Sequence, residues 1–268
     1  MRRLFVASIA IVALVNVFHI SRAAVPIPVT STISELELVV VETVPAVVTA
    51  KAYCVIDIKT GKILLAKDAS EELPIASVTK LFTAAALLSR AENEVVVTDA
   101  DVATEGRAGK LQAGQVYQAH ELLFPLLLES SNDAATAVER TVGKITFAGK
   151  SLADGSGLSS LNRASASTLA TEVRNLYQTQ PHIFDITTLT QYIGTYTGWV
   201  NNSPVATIPG YRGGKHGYTL AAGKTLAAVF AEPSLADREL AYIILGSDDL
   251  KSDMLHLRTA IEHSVRLQ

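Results

Sequence analysis

The chain has 268 residues, a formal net charge of −3 and a pI of about 6.1, so it lacks the basic footprint of a nucleic-acid binder. Its one cysteine, Cys54, excludes an intrachain disulfide. The six histidines are scattered, with no HExxH pattern or Cys/His cluster, so neither a metal site nor any other cofactor is indicated.

The N-terminus reads as an export leader. Arg2 and Arg3 precede an apolar run from Leu4 to Phe18, and Ser21-Arg22-Ala23 offers small residues where a signal peptidase cuts. The run is shorter than the ~20 residues that span a bilayer. Residues 1–23 are therefore expected to be a cleaved signal peptide; left uncleaved, they would be an N-terminal membrane tether. Either way the remainder is expected in the periplasm or elsewhere in the extracytoplasmic envelope. Residues 24–48 are expected to be a spacer: the alternation over 35–42 would suit a short edge strand, but Pro26, Pro28 and the lack of a visible partner argue for a tether. Residues 49–268 then form one domain with a sizeable core.

Alternating apolar residues over 53–58 and 63–66 flank Lys59-Thr60-Gly61-Lys62 and predict a β-hairpin, with Cys54 a small buried hydrophobe inside it. A largely helical region follows, predicted over 77–90, 120–129, 132–142 and 165–178. Strands are predicted at 226–231 and 240–245 around the Glu232-Pro233-Ser234 turn, with the Lys215 segment as their neighbour. The last helix is predicted over 251–267, with Met254, Leu257, Ile261 and Val265 at helical spacing. Strands at both ends with helices between imply an α+β fold: one antiparallel sheet assembled from distant segments, flanked by helices, plus a helical lobe.

Three short motifs carry the chemistry. Ser77-Val78-Thr79-Lys80 puts a hydroxyl and an amine on one helix face, and a partly desolvated lysine can remove a serine proton. Alone, Ser77 would be read as a helix cap. Ser130-Ser131-Asn132 follows, and alone it too would cap the next helix. Lys215-His216-Gly217-Tyr218 comes last. S-x-x-K, S-x-N and K-x-G in this order match the signature set of penicillin-binding proteins and class A β-lactamases.

The wording between the motifs narrows the match. Ala52 to Leu64, Leu73-Pro74-Ile75-Ala76-Ser77, Asn132-Asp133-Ala134-Ala135, Asp154-Gly155-Ser156-Gly157-Leu158-Ser159 and Gly217-Tyr218-Thr219 resemble the low-molecular-mass penicillin-binding proteins, the serine-type D-alanyl-D-alanine carboxypeptidases and endopeptidases. The resemblance implies a β-lactamase/transpeptidase-like fold and a catalytic domain over 49–268. It also implies peptidoglycan stem peptides as substrates and β-lactams as covalent inhibitors. Residue by residue, it makes Ser77 the acylating nucleophile, Lys80 its base, and Ser130 the proton relay to the leaving amine. Asn132 and Lys215 become substrate-binding residues, and Ser77 and Tyr218 the backbone donors of an oxyanion hole beside Gly217. The Asp154 segment is implied to be a structural loop near the site. The β-rich C-terminal domain of many relatives is not seen, a layout closer to the short DD-endopeptidases.

Two departures stand out. His216 occupies the family's Thr position, so a ring N–H must replace the hydroxyl or the contact is lost; if His216 does the work of the Thr, its imidazolium should attract the substrate carboxylate as pH falls. Leu245-Gly246-Ser247-Asp248-Asp249 supplies no cation where carboxypeptidases tend to carry an arginine. A catalytically weak or dead peptidoglycan-binding homologue is the alternative these changes leave open. A β-lactamase is the less favoured one, for want of a Glu-x-x-Leu-Asn sequence after Ser130.

Overall fold

Every residue of the strand Ala52–Asp57 is buried, although its sequence is not uniformly apolar. The reason is that strands cover both its edges while separate layers cover its two faces. Side chains alternate along a strand. Cys54 and Ile56 therefore enter one hydrophobic cluster and Tyr53 and Val55 the other. The same division recurs in Gly223–Glu232 (Ala227 and Val229 against Leu226, Ala228 and Phe230) and in Arg238–Ser247 (Ala241 and Ile243 against Leu240, Tyr242 and Ile244).

The structure is a computed structural model that describes residues 36–42, 46–90, 94–106 and 108–268. Its central sheet has five strands in the order Tyr211–Thr219, Gly223–Glu232, Arg238–Ser247, Ala52–Asp57, Ile63–Lys67, antiparallel at each step. One face is covered by the helix Leu250–Ser264 through Met254, Leu257 and Ile261. The other is covered by the helical region between the two halves of the sheet. This is the α+β arrangement expected, and both hairpins lie where the sequence puts them.

The helix Asn132–Val142 is capped by Ser131, whose Oγ accepts the N–H of Ala134, and Ala166–Thr179 is capped by Ser165 in the same way. The stretch expected as one helix over 77–90 begins instead as a 3-10 turn, Ala76–Thr79, and becomes α-helical at Lys80–Leu88. The 120–129 segment likewise divides into a 3-10 turn, Ala119–Leu122, and the helix Leu123–Leu128. A further helix, Pro181–Thr188, opens on a proline and buries Ile183, Phe184 and Ile186.

One expectation about the ends is corrected. The last helix stops at Ser264, and Val265–Leu267 is a strand; Leu38–Val40 pairs with it antiparallel, Leu38 opposite Leu267. Within the segment read as a spacer, Leu38–Val40 is a strand, because the partner that it needs is supplied by the opposite end of the chain. Leu38, 1% exposed, belongs to the core cluster. The signal-peptide reading of residues 1–23 lies outside the described residues.

Candidate active site

Ser77 sits where the strand Glu72–Pro74 turns into a helix. Ala76 takes a left-handed conformation, φ 48°, a strained state for a residue with a Cβ. The turn is held from outside: Thr225 Oγ1 donates to the carbonyl of Ile75 at 2.9 Å, and Asn162 donates its side-chain N–H to Thr79 Oγ1 at 3.3 Å. The result leaves Ser77 half-buried while Thr79 and Lys80 are fully enclosed.

Lys80 Nζ has three partners: Ser77 Oγ at 3.0 Å, Asn132 Oδ1 at 2.8 Å and the carbonyl of Ser156 at 2.6 Å. An ammonium satisfies all three with its three protons. A neutral amine has two protons and a lone pair, and two of the partners are pure acceptors. Only the Ser77 hydroxyl among the three has a proton to offer, so deprotonating Lys80 points its lone pair at the serine. Burial holds Lys80 well below the usual lysine range, and the nearby Lys215 charge lowers it further; Asp154 and Asp133 act in the opposite direction.

Asn132 uses both ends of its amide. Besides accepting from Lys80, it donates through Nδ2 to the carbonyl of Glu105 at 2.9 Å, which leaves one N–H for a ligand. Asp133, fully buried, accepts from the backbone N–H of Gly109 at 2.9 Å and from the Ser131 hydroxyl. It thereby ties Gly109 to the helix that carries Asn132. Ser130, two residues before Asn132, is half-buried in a left-handed conformation, φ 62°, and its hydroxyl hydrogen-bonds to none of the described residues.

The third motif lies on the edge strand Tyr211–Thr219. A Cβ on Gly217 would fall 2.5 Å from the backbone nitrogen of Ser77 and 2.9 Å from Ala76 Cβ. Only glycine permits so close an approach. The strand therefore runs directly beside the Ser77 N–H, and Tyr218, 60% exposed, follows at the mouth. Lys215 is 1% exposed, donates to the carbonyl of His216 at 2.8 Å, and is brought by burial down to about 7. His216 is half-buried; burial, then the Lys215 and Lys80 charges, push it to about 3. Its imidazole is neutral throughout the physiological range, so the expectation of an imidazolium that draws in carboxylate at mildly acid pH is corrected.

Lys80 is thus in direct contact with both Ser77 and Asn132, Gly217 closes on Ser77, and Lys215 bears on Lys80 through its charge. What the sequence reading missed is backbone: the carbonyls of Ser156 and Glu105 that orient Lys80 and Asn132. The only signal for either was the Asp-Gly-Ser-Gly run itself, a turn former.

A lysine enclosed against a serine, at the edge of a five-stranded antiparallel sheet, defines the fold class of the penicillin-binding proteins and DD-peptidases. A penicillin-binding protein homologue of Mycobacterium tuberculosis superposes with a TM-score of 0.73 at 22% identity, over 82% of this chain and 94% of that one. A mutant form of the Streptomyces K15 DD-transpeptidase does so at 0.70 and 17% identity, over 82% and 98%. Residues 39–248 match the family described as D-alanyl-D-alanine carboxypeptidase, and the chain belongs to that family. Among curated relatives, the D-alanyl-D-alanine carboxypeptidase DacB2 of Mycobacterium tuberculosis is 34% identical over 96 residues, 35% of this chain and 33% of that protein. A D-alanyl-D-alanine endopeptidase of Haemophilus influenzae is 33% identical over 103 residues, 37% and 35%. The chain therefore aligns with about a third of the length of each.

Proposed function

We propose that the protein is a serine-type D-Ala-D-Ala carboxypeptidase or endopeptidase that cleaves peptidoglycan stem peptides through an acyl-enzyme on Ser77 and is acylated by penicillin. The observation that carries this reading is the buried Lys80 amine, 3.0 Å from Ser77 Oγ and held well below the ordinary lysine range. Ser77 Oγ attacks the peptide carbonyl as its proton passes to Lys80. The carbon–nitrogen bond breaks, and the leaving amine takes a proton through Ser130. Water then hydrolyses the ester, releasing the shortened peptide and regenerating Ser77. The backbone N–H groups of Ser77 and Tyr218 would receive the oxyanion, one such donor typically contributing ~2.7–4 kcal/mol to the transition state. Asn132 would bind the substrate amide. Lys215, with His216 and Gly217 along the same strand, would line the leaving-group side.

A specific observation favours the endopeptidase within this reading. The imidazole at 216 is uncharged, so Lys215, which donates one of its three protons to the carbonyl of His216, is left to hold a free terminal carboxylate without help from a charge at 216. Recognition of that carboxylate is weakened, whereas an internal peptide loses nothing. Substrates of this kind lie outside the cytoplasm, in keeping with residues 1–23 acting as an export signal or a membrane tether.

Fluorescent penicillin tests the reading. A durable label in the wild type that is lost in Ser77→Ala supports it. A label that survives in Ser77→Ala contradicts it, absent labelling of the wild type favours a binding homologue, and a transient label a β-lactamase.

A further inference from the structure

The loop 154–159 sends no side chain into a hydrogen bond with Ser77, yet its backbone reaches the centre of the site. The carbonyl of Ser156 accepts from Lys80 Nζ at 2.6 Å and from Ser77 Oγ at 3.5 Å. That carbonyl is aimed by Asp154. Asp154 Oδ1 accepts from the N–H of Ser156 at 2.8 Å, of Gly157 at 2.6 Å and of Leu158 at 3.2 Å, and from the Ser156 hydroxyl at 2.6 Å; Oδ2 accepts from the N–H of Ser159 at 2.8 Å. With the N–H groups turned onto one carboxylate, the Ser156 carbonyl points the other way, toward Lys80. The loop is fastened to its surroundings as well: Thr83 donates to the carbonyl of Gly155 at 2.6 Å, Glu139 accepts from the N–H of Gly155 at 2.7 Å, and Asn162 donates to the carbonyl of Asp154 at 2.8 Å. Gly157, φ 83°, lies so close to Ala76 that a Cβ would fall 2.0 Å from the Ala76 carbonyl oxygen.

We infer that Asp154 is a positioning residue of the reaction: it gathers the loop's N–H groups and so fixes the Ser156 carbonyl on Lys80. The inference rests on Ser77 and Lys80 being the reacting pair. Burial would raise the Asp154 carboxyl, but the hydrogen bonds from Ser156, Ser159 and Gly157 outweigh it and keep the group an anion. The charged or titratable groups bearing on Lys80 are Lys215 and His216 from the edge strand, Asp133 from the helix and Asp154 from the loop; Glu139 faces the loop from the same helix. Of these, Asp154 and Asp133 hold the proton on Lys80, and Lys215 opposes them.

Asp154→Asn keeps an oxygen for Ser156, Gly157 and Leu158 but removes the charge, whereas Asp154→Ala removes the clamp. Two readouts on the full chain separate the roles: the rate of acylation by fluorescent penicillin against pH, and the titration of the Lys80 Nζ resonance by 15N NMR. In Asp154→Asn both the acid limb of the rate and the Lys80 titration should move to lower pH. In Asp154→Ala, folded by circular dichroism, the plateau rate should fall roughly tenfold to a hundredfold, the scale of a small misplacement of reacting groups. A purely structural role would lower the melting temperature of Asp154→Asn and leave limb and titration where they are, and that result overturns the inference. A wild type that fails to label overturns the acyl-enzyme reading and the inference with it; a wild type that labels, with limb and titration unmoved in Asp154→Asn, overturns the inference alone.

Discussion

At the residue scale the chemistry depends on how far each cation is removed from water. Lys80 and Lys215 are both enclosed, burial and then the Lys215 charge favour a free amine at Lys80, and the two carboxylates that bear on Lys80 offset the two together only in part. Lys215→Met removes one positive charge from beside Lys80. Lys80 then binds its proton more readily, so the acid limb of penicillin acylation should move to higher pH; a limb that stays in place would mean that the Lys215 charge does not act on the base. Lys80→Arg should abolish acylation, because a guanidinium cannot give up its proton. His216 leads to a different expectation. Because its imidazole is held at about 3, any pH dependence in the preference for a carboxylate-bearing over an amidated substrate should come from Lys215, which titrates at about 7. The preference should weaken as pH rises through the neutral range, and the same slope should persist in His216→Thr. A slope that vanishes in His216→Thr would restore the charged histidine. Ser77 and Lys80 were legible in the sequence because three residues of separation survive even a 3-10 turn; the protonation state of His216 was not, since it depends first on burial and then on the charges of the adjacent Lys215 and of Lys80, far away in the chain.

At the scale of elements, the site exists where a strand edge meets the start of a helix, and Gly217 is the point of contact. A methyl there would meet the Ser77 nitrogen at 2.5 Å, so Gly217→Ala must push the strand away from Ser77. Acylation should fall by roughly a hundredfold, the cost of about 1 Å of misplacement. The change should hardly alter the circular dichroism spectrum. Near-wild-type acylation in this variant would place the oxyanion donors elsewhere. The long elements were readable because each carries its own signal: Ser131 and Ser165 cap their helices, and the alternation of Leu226 to Phe230 splits cleanly between two core layers. The 3-10 turn at Ala76–Thr79 was not readable. It is imposed from outside by Thr225 on Ile75 and by Asn162 on Thr79, contacts between residues far apart in the chain.

For the whole molecule, the buried cations make stability depend on pH. Lys215 has a folded value of about 7 against an ordinary 10.5, so between these limits the unfolded chain binds the proton more tightly. Stability should therefore rise with pH from about 7 toward 10.5, with Lys80 acting in the same direction, and be lost on the way down. Lys215→Met should raise the melting temperature at pH 7 and flatten that rise, and an unchanged profile would contradict the burial of the charge. The opposite ends of the chain supply a second test. Leu38, paired with Leu267 and packed in the core, should cost about 2 kcal/mol of stability or more when changed to Ala, while leaving the pH profile of acylation intact. This pairing escaped the sequence reading because neither three-residue strand has a local partner. The central claim, that Ser77 activated by Lys80 is the group that acylates, is tested most directly by peptide mapping of the penicillin-treated protein with mass spectrometry. The account requires one penicilloyl adduct per chain, on the peptide containing Ser77 and on that residue; an adduct on any other residue, with Ser77 unmodified, would contradict it.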